Sequence, residues 1–328
     1  MIKISLILPI YNVEKYLSRC IFSCLQQDIP ESDYEIIAVI DGCTDGSLSI
    51  VKKFAKEHSN IVIIEKKNGG VSDARNFGIN ASRGKYIWCI DPDDYIETNI
   101  LNTICNKMDS GQLDALLIRY RNIDEYDKVL PYYDIPIRSN NTTIMNGFEF
   151  MEKVMATYLM AWTFIYRKDF LIDNDLWYKK GMICCEDNEF AYRSLPKIKR
   201  IQLFDNVCYN YLQRSDSICK ILSLKKYKDI CTNIRTANER QEFYNKEKLI
   251  NTAFFFRSSC TALTIMAIKE YIKAHNKDFY IILRQALLSP PTIKKLVLFG
   301  GLKEKILIYV YNLIGPRIFL FILKFIIK

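Results

Sequence analysis

The sequence predicts an α/β fold: a mostly parallel, Rossmann-like sheet flanked by helices, followed by a helical, basic C-terminal region. Three observations carry that reading. Apolar runs and helix-period segments alternate through the first hundred residues. Polar clusters follow three of the runs, at the carboxyl ends where such sheets bind ligands. The charge is divided unevenly, with 27 basic against 30 acidic side chains in residues 1–220 and 19 against 7 in residues 221–328.

The elements follow in order. Ile4–Ile10 reads as a first strand, closed by Tyr11-Asn12. Glu14–Leu25 repeats apolar pairs at helical spacing, Tyr16-Leu17, Cys20-Ile21 and Cys24-Leu25. Tyr34–Ile40 is a second strand, stopped by Asp41-Gly42, and Ser47–His58 a helix on Leu48, Ile50-Val51 and Phe54-Ala55. Ile61–Ile64, Gly70–Ala81 and Lys85–Ile90 read as strand, helix and strand. The pattern changes near Leu113. Ala115–Tyr120 is strand-like, Arg121–Thr143 polar and turn-rich, Asn146–Met160 helical, Trp162–Arg167 strand-like, Glu186–Leu195 helical and Ile201–Tyr211 strand-like. After about Leu222 the chain reads as helical to its end. The expected organisation is one domain over 1–220, in halves of about 1–112 and 113–220, and a helical region over 221–328.

Composition excludes several classes. The balance of 49% hydrophobic and 25% charged residues is that of a globular chain. Eleven cysteines without a CxxC pair read as reduced thiols of a cytosolic protein rather than a disulfide framework or zinc site. His58 and His275 both fall in polar helical stretches expected at the surface, which removes histidine-based metal binding and acid–base chemistry. "MIKISLILPIYN" is too short in its apolar run for a signal peptide, so the Asn140 and Asn141 sequons carry no expectation of glycosylation. The basic excess of the last third argues against a nucleic-acid-binding core and for contact with an anionic membrane surface.

The chemistry lies in "CIDPDDYIE". Asp91, Asp93 and Asp94 crowd the end of an apolar run, where like charges repel. A divalent cation with hard oxygen ligands, Mn²⁺ or Mg²⁺, offsets that repulsion and bridges the carboxylates to a nucleotide diphosphate. Asp41, at the end of the second strand, suits a hydrogen bond from a base or ribose. Asn68-Gly69-Gly70 opens a helix where backbone can approach an anion, and Arg75 adds a positive charge for phosphate. Glu186-Asp187 in "MICCEDNEF" reads either as a carboxylate base for an acceptor hydroxyl or as a helix N-cap with a first-turn acid. Trp162, Trp177 and Tyr178 are candidates for stacking on an acceptor sugar, or core aromatics.

Together, "SLILPIYN", "VIDGCTDGS", "NGGVSDARNFGINASRGKYIWCIDPDD" and "EDNEF" resemble the family-2 inverting glycosyltransferases of the GT-A fold, over roughly residues 3–215. The resemblance implies a uridine-diphosphate sugar donor, with Pro9, Tyr11 and Asn12 lining the base pocket, Asp41 on the uracil, and Asn68, Gly70, Arg75, Asp91 and Asp93 around the nucleotide. It implies a metal site at Asp93 and Asp94, Asp187 as catalytic base, and Glu186 and Trp177 on the acceptor side. The first half then takes the nucleotide sugar and the second the acceptor, a glycan or a lipid-linked one as in bacterial surface polysaccharide synthesis, at the cytoplasmic face of the membrane. "WTFIYRKDFLIDNDLWYKKGM" and "YNYLQRSDSI" resemble the acceptor-side region of such enzymes. Cys43 stands where many members have Ser, and Pro92 replaces a small residue.

The rivals are weaker. A dinucleotide oxidoreductase needs G-x-G-x-x-G after the first strand, where Pro9-Ile10-Tyr11-Asn12 stands. A sugar nucleotidyltransferase would carry a basic Gly-rich loop there. A non-catalytic membrane scaffold would have lost a carboxylate at 91–94 or 187. In the C-terminal "GLKEKILIYVYNLIGPRIFLFILKFIIK", Gly315-Pro316-Arg317 interrupts the ~20 apolar residues a bilayer span requires. The tail 300–328 is therefore expected to lie on an anionic leaflet, with packing on the protein's own core and a true span as alternatives.

Overall fold

The computed structural model describes residues 1–131, 139–155, 160–214, 223–274, 276–297 and 302–326. Strand β1 (Ile4–Ile10) is buried at all its positions, as a strand covered on both faces must be. Helix α1 (Glu14–Leu25) returns the chain to β2 (Tyr34–Asp41), parallel to β1. Helix α2 (Ser47–Glu57) leads to β3 (Ile61–Lys66) beside β2, and α3 (Val71–Ala81) crosses back to β4 (Tyr86–Cys89) on the other side of β1. Ile4, Tyr34 and Tyr86 lie in register, so the three strands reach their carboxyl ends at one edge of the sheet.

The remaining strands are β5 (Tyr95–Ile96), β6 (Ala115–Ile123), β7 (Phe164–Arg167) and β8 (Ile201–Leu212), and the sheet order is β3-β2-β1-β4-β7-β6-β8-β5. Beyond β4 the sheet is mixed: β7 runs antiparallel to both β4 and β6, β8 is parallel to β6, and β5 antiparallel to β8. The interposed helices are α4 (Leu101–Ser110), α5 (Gly147–Lys153), α6 (Lys168–Asp173) and α7 (Glu186–Ser194). The chain then forms α8 (Leu224–Lys246), α9 (Ile250–Ala274), α10 (Lys277–Leu288) and α11 (Leu302–Ile326).

Several boundaries differ from the sequence reading, each for a local reason. Polar Arg121–Ile123 continues β6, because Arg121 is paired with Glu97 and Asn210. The helix expected over 146–160 ends at Lys153, and Ala161–Thr163 form a single 3₁₀ turn; 156–159 lie outside the described residues. Asn146 starts that helix with a capping box closed by Glu149. His58 follows α2, with Nδ1 2.7 Å from a Glu31 carboxylate oxygen, whereas His275 lies outside the described residues.

One continuous apolar cluster runs from Ile4 through the sheet to Leu263 of α9, Leu283 of α10 and Leu320 of α11. The C-terminal helices are thus packed into the core of the sheet domain. Within this core α3 lies unusually close to β1. A Cβ at Gly78 would fall 2.3 Å from Ile7 Cγ2, so only glycine permits the approach that sets the height of α3 over the sheet. Gly78→Val is expected to lower stability by roughly 1–3 kcal/mol through overpacking, read as a reduced urea midpoint at unchanged m-value.

Candidate active site

The site lies beyond the carboxyl ends of β1, β2 and β4. Its hub is Arg75 of α3, 3% exposed. The guanidinium donates from Nη2 to Asp91 Oδ1 at 2.9 Å and from Nη1 to Glu186 Oε1 at 2.7 Å. Its face lies over the Tyr178 ring, 5.2 Å from the centroid. One side chain thus ties the turn after β4 to the N-terminus of α7, 111 residues away from Arg75 in sequence. The two neighbouring carboxylates hold the guanidinium firmly charged against the pull of burial.

The three aspartates of the turn divide their tasks. Asp91 keeps Oδ2 without a hydrogen bond among the described residues, and its side chain is 28% exposed. Asp93 receives Arg214 Nε at 2.7 Å on Oδ2, leaving Oδ1 similarly open. Burial, then repulsion from Asp91, raises the Asp93 pKa against the pull of Arg214. Asp94 departs from the expected metal ligand. It is 1% exposed and turns inward, where Oδ2 accepts the Tyr209 hydroxyl at 2.8 Å and Oδ1 the Leu212 N–H at 2.8 Å. Tyr209 also accepts the Asp91 N–H at 3.0 Å, and its ring stacks on Trp162 at 4.1 Å. Asp94 therefore builds the turn rather than offering ligands. Its buried pKa is pushed well up by desolvation and by the other two carboxylates.

Glu186 is likewise committed inward, to Arg75, and not to the acceptor side. Asp187, the other carboxylate of this pair, makes no hydrogen bond to Arg75 among the described residues. Its Oδ1 accepts from the Asn188 N–H at 2.7 Å, and Oδ2 has no hydrogen bond among the described residues. Burial and the adjacent Glu186 push its pKa up to about 8, with Arg75 pulling the other way. The preceding Cys185 has left-handed backbone angles, φ 58° and ψ 22°. For a non-glycine residue this stores strain and marks a turn held by its surroundings.

The residues expected around the base lie at the carboxyl ends of β1 and β2 and at the start of α3. Pro9 is buried in β1, beside Val39 of β2. Tyr11 presents an exposed ring, and Asn12 pairs with Thr44 through Oδ1 at 2.8 Å and Nδ2 at 3.1 Å. Asp41 is buried, and its oxygens accept from the N–H groups of Gly69 and Gly70, each at 2.8 Å, and from Lys66 at 2.5 Å. Asn68 Nδ2 donates to the Asp41 carbonyl at 3.0 Å. Gly70, at φ 85°, turns the chain into α3. In this state the Asp41 carboxylate is occupied by its own loop.

Of the aromatics, Trp162 and Tyr178 are core, 2% and 3% exposed, with Tyr178 stacked 4.2 Å from Phe190. Trp177 is half-buried; with Phe77, Asn80, Tyr178 and Lys180 it lines an open cavity of about 400 Å³.

Sequence reasoning missed Lys66, which bridges Asp41 and Asp73 at 2.5 and 2.7 Å, and the pairing of Arg214 with Asp93. The signals were present: a lysine at a third strand end, and an arginine in "YNYLQRSDSI" directly after β8; 215–222 lie outside the described residues.

Comparison with known proteins gives the fold and the family. The S. aureus TarS 1–349 crystal structure superposes with a TM-score of 0.68 over 98% of this chain and 90% of that one, at 22% identity, and so shares its GT-A fold. The model of glycosyl transferase family 2 matches residues 5–172, so the chain belongs to that family. Among curated relatives, the glycosyltransferase EpsJ of Bacillus subtilis strain 168 is 29% identical over 223 residues, 66% of this chain and 63% of EpsJ. Poly(ribitol-phosphate) beta-N-acetylglucosaminyltransferase TarS of Staphylococcus aureus strain MW2 is 28% identical over 217 residues, 66% of this chain but 36% of TarS.

The Asp187 shift has a measurable sign. A carboxyl whose folded pKa lies near 8, against 3.8 when unperturbed, binds its proton more tightly in the folded state. Its contribution to stability is fully present below the unperturbed value and is lost as pH rises toward about 8. Asp187→Asn is expected to be more stable than the parent at about pH 8, and to show a smaller fall in melting temperature between about pH 5 and pH 8.

Proposed function

We propose that the protein transfers a sugar, with inversion, from a uridine-diphosphate donor to a hydroxyl of a glycan or lipid-linked acceptor in bacterial surface polysaccharide synthesis. The observation that carries this is the Arg75 bridge, which joins Asp91 in the turn after β4 to Glu186, the residue before Asp187. Family membership supports the reaction type. A TarS structure titled as a complex with UDP-GlcNAc, and the poly(ribitol-phosphate) transferase name of TarS, support the donor and acceptor classes. Residues 1–112 would serve the donor, and 113–220 the acceptor.

Residues Asp91 and Asp93 fit a divalent cation, Mn²⁺ or Mg²⁺. Each keeps an oxygen without a hydrogen bond among the described residues, and burial, then repulsion from Asp91, raises the Asp93 pKa even with Arg214 beside it. When bound, such an ion supplies charge stabilisation to the departing diphosphate. The chain's own groups do the rest. Arg75 fixes the two carboxylate-bearing segments in register. The exposed Tyr11 ring suits stacking on the base. The open Oδ2 of Asp187 takes the proton of the acceptor hydroxyl as that oxygen attacks the anomeric carbon opposite the diphosphate. A pKa raised to about 8 makes Asp187, once ionised, a stronger base than an ordinary carboxylate. A non-catalytic scaffold is disfavoured because the carboxylates the reaction needs, Asp91, Asp93 and Asp187, are retained.

The expected test is UDP release from UDP-GlcNAc with Mn²⁺. Asp187→Asn should lower turnover ~10²–10⁴-fold while UDP binding measured by calorimetry is kept. Asp93→Ala should instead weaken UDP binding only where Mn²⁺ is present. Wild-type turnover in Asp187→Asn would remove the base assignment.

The same proposal places the protein at the inner face of the cytoplasmic membrane, and α11 supports it. Its window Leu302–Lys324 has mean hydropathy 1.9, enough by length and composition to cross a bilayer. Gly315, at φ 76°, and Pro316 break it in the middle. Ile308, Tyr311, Leu320 and Leu323 pack inward, while Leu302, Leu313 and Ile318 face out among exposed Lys303, Lys305, Arg317 and Lys324. Own-core packing and an interfacial face are thus two sides of one helix. Deleting 300–328 would strip core contacts, so the cleaner variant is Leu313→Glu with Ile318→Glu. It should fold as the parent does but lose sedimentation with phosphatidylglycerol-containing vesicles. Unchanged co-sedimentation would sink the membrane reading.

A further inference from the structure

The turn that launches α7 has no cap of its own. Cys185 sits at the N-cap position with no side-chain hydrogen bond to the helix, in the left-handed region. Such a residue persists only where neighbours over-determine it. The neighbour here is distant in sequence. Asp229 of α8 accepts the Ile183 N–H on Oδ2 at 2.8 Å. A backbone donor two residues before Cys185 is thus held by a carboxylate 46 residues further along the chain. A carboxylate accepting backbone N–H groups makes the stronger, charge-assisted kind of hydrogen bond.

Asp229 is itself well anchored. Tyr227, Ile230 and Cys231 around it are buried in the common core, and its carbonyl is bonded by Asn233 Nδ2 at 3.1 Å. The clamp therefore connects a rigid helix of the C-terminal region to a strained turn two residues before Asp187. From that turn Glu186 reaches Arg75, and Asp187 is the next residue.

We propose that Asp229 is a positioning residue for the catalytic base: by holding the Ile183 N–H it fixes the Cys185 turn, and so the direction of Asp187. The C-terminal helices thereby become part of the catalytic machinery and not an appendage to it. This rests on the reading of Asp187 as base, and adds that the base is aimed from α8. Glu186 alone cannot supply the aim, because its bond to Arg75 restrains the side chain and leaves the preceding turn free to relax.

The test uses the full chain and two readouts. Amide hydrogen exchange over 183–188 reports the clamp without reference to any substrate. UDP release from UDP-GlcNAc with Mn²⁺ reports the base. In Asp229→Ala, exchange over 183–188 should accelerate at least 10-fold while the strands stay protected. kcat should fall by on the order of 10²-fold, the scale of a base misplaced by about an ångström, with KM for UDP-GlcNAc unchanged. Asp229→Asn keeps one carbonyl acceptor in place and should recover part of both effects. It also serves if the alanine variant is too unstable to assay. Unchanged exchange over 183–188 in both variants would overturn the proposal, as would accelerated exchange with an unaltered kcat. Failure of the underlying reading looks different: Asp187→Asn would then release UDP at the parent rate, with 183–188 exchange still governed by Asp229.

Discussion

The geometry of the site depends on one buried guanidinium. Arg75 is almost fully removed from water, and a buried charge without partners costs several kcal/mol. It is tolerated because Asp91 and Glu186 each give it a short charge-assisted bond. The dependence runs both ways. Without the guanidinium the two carboxylates would repel, and the turn after β4 would have no reason to stay beside α7. Its planar fork also reaches both in fixed directions, which a lysine would not do. Arg214 answers Asp93, but Asp187 has no cationic hydrogen-bond partner among the described residues, and burial, then the adjacent Glu186, raises its pKa.

Much of the fold was legible because burial imposes periodicity. The alternation over residues 4–90 matches the elements to within a few residues, since each helix must cover the sheet with one stripe, β1, β2 and β4 are buried on both faces, and only the edge strand β3 is partly exposed. Strand direction is a different matter. Phe164–Arg167 is as apolar running antiparallel as it would be parallel, and nothing local records that β7 enters between β4 and β6 against β4. The site shows the same division. That Asp91, Asp93 and Asp94 form a charged cluster is visible in the sequence. That Asp94 turns inward is set by Tyr209 and Leu212, 115 and 118 residues away. The commitment of Glu186 to Arg75 and the clamp from Asp229 are long-range pairings of the same kind.

The C-terminal third illustrates how composition can be right while organisation stays hidden. Its helical, basic character follows from the residues. Its role does not, because Ile308 and Leu313 are equally apolar yet one faces the core and the other solvent. The continuous core, together with the contact of α8 with the turn before α7, joins this region to the chemistry. A surface that meets a bilayer and a helix that aims the base would then belong to one packed unit.

The most direct measurement is a crystal structure with a UDP-sugar and Mn²⁺, read through the anomalous signal of the metal. The account predicts the Mn²⁺ peak against Asp91 or Asp93, the diphosphate beside it, and the anomeric carbon facing the open oxygen of Asp187. A nucleotide bound at another edge of the sheet, or a sugar held with Asp187 on the far side of the Arg75 bridge, would contradict it.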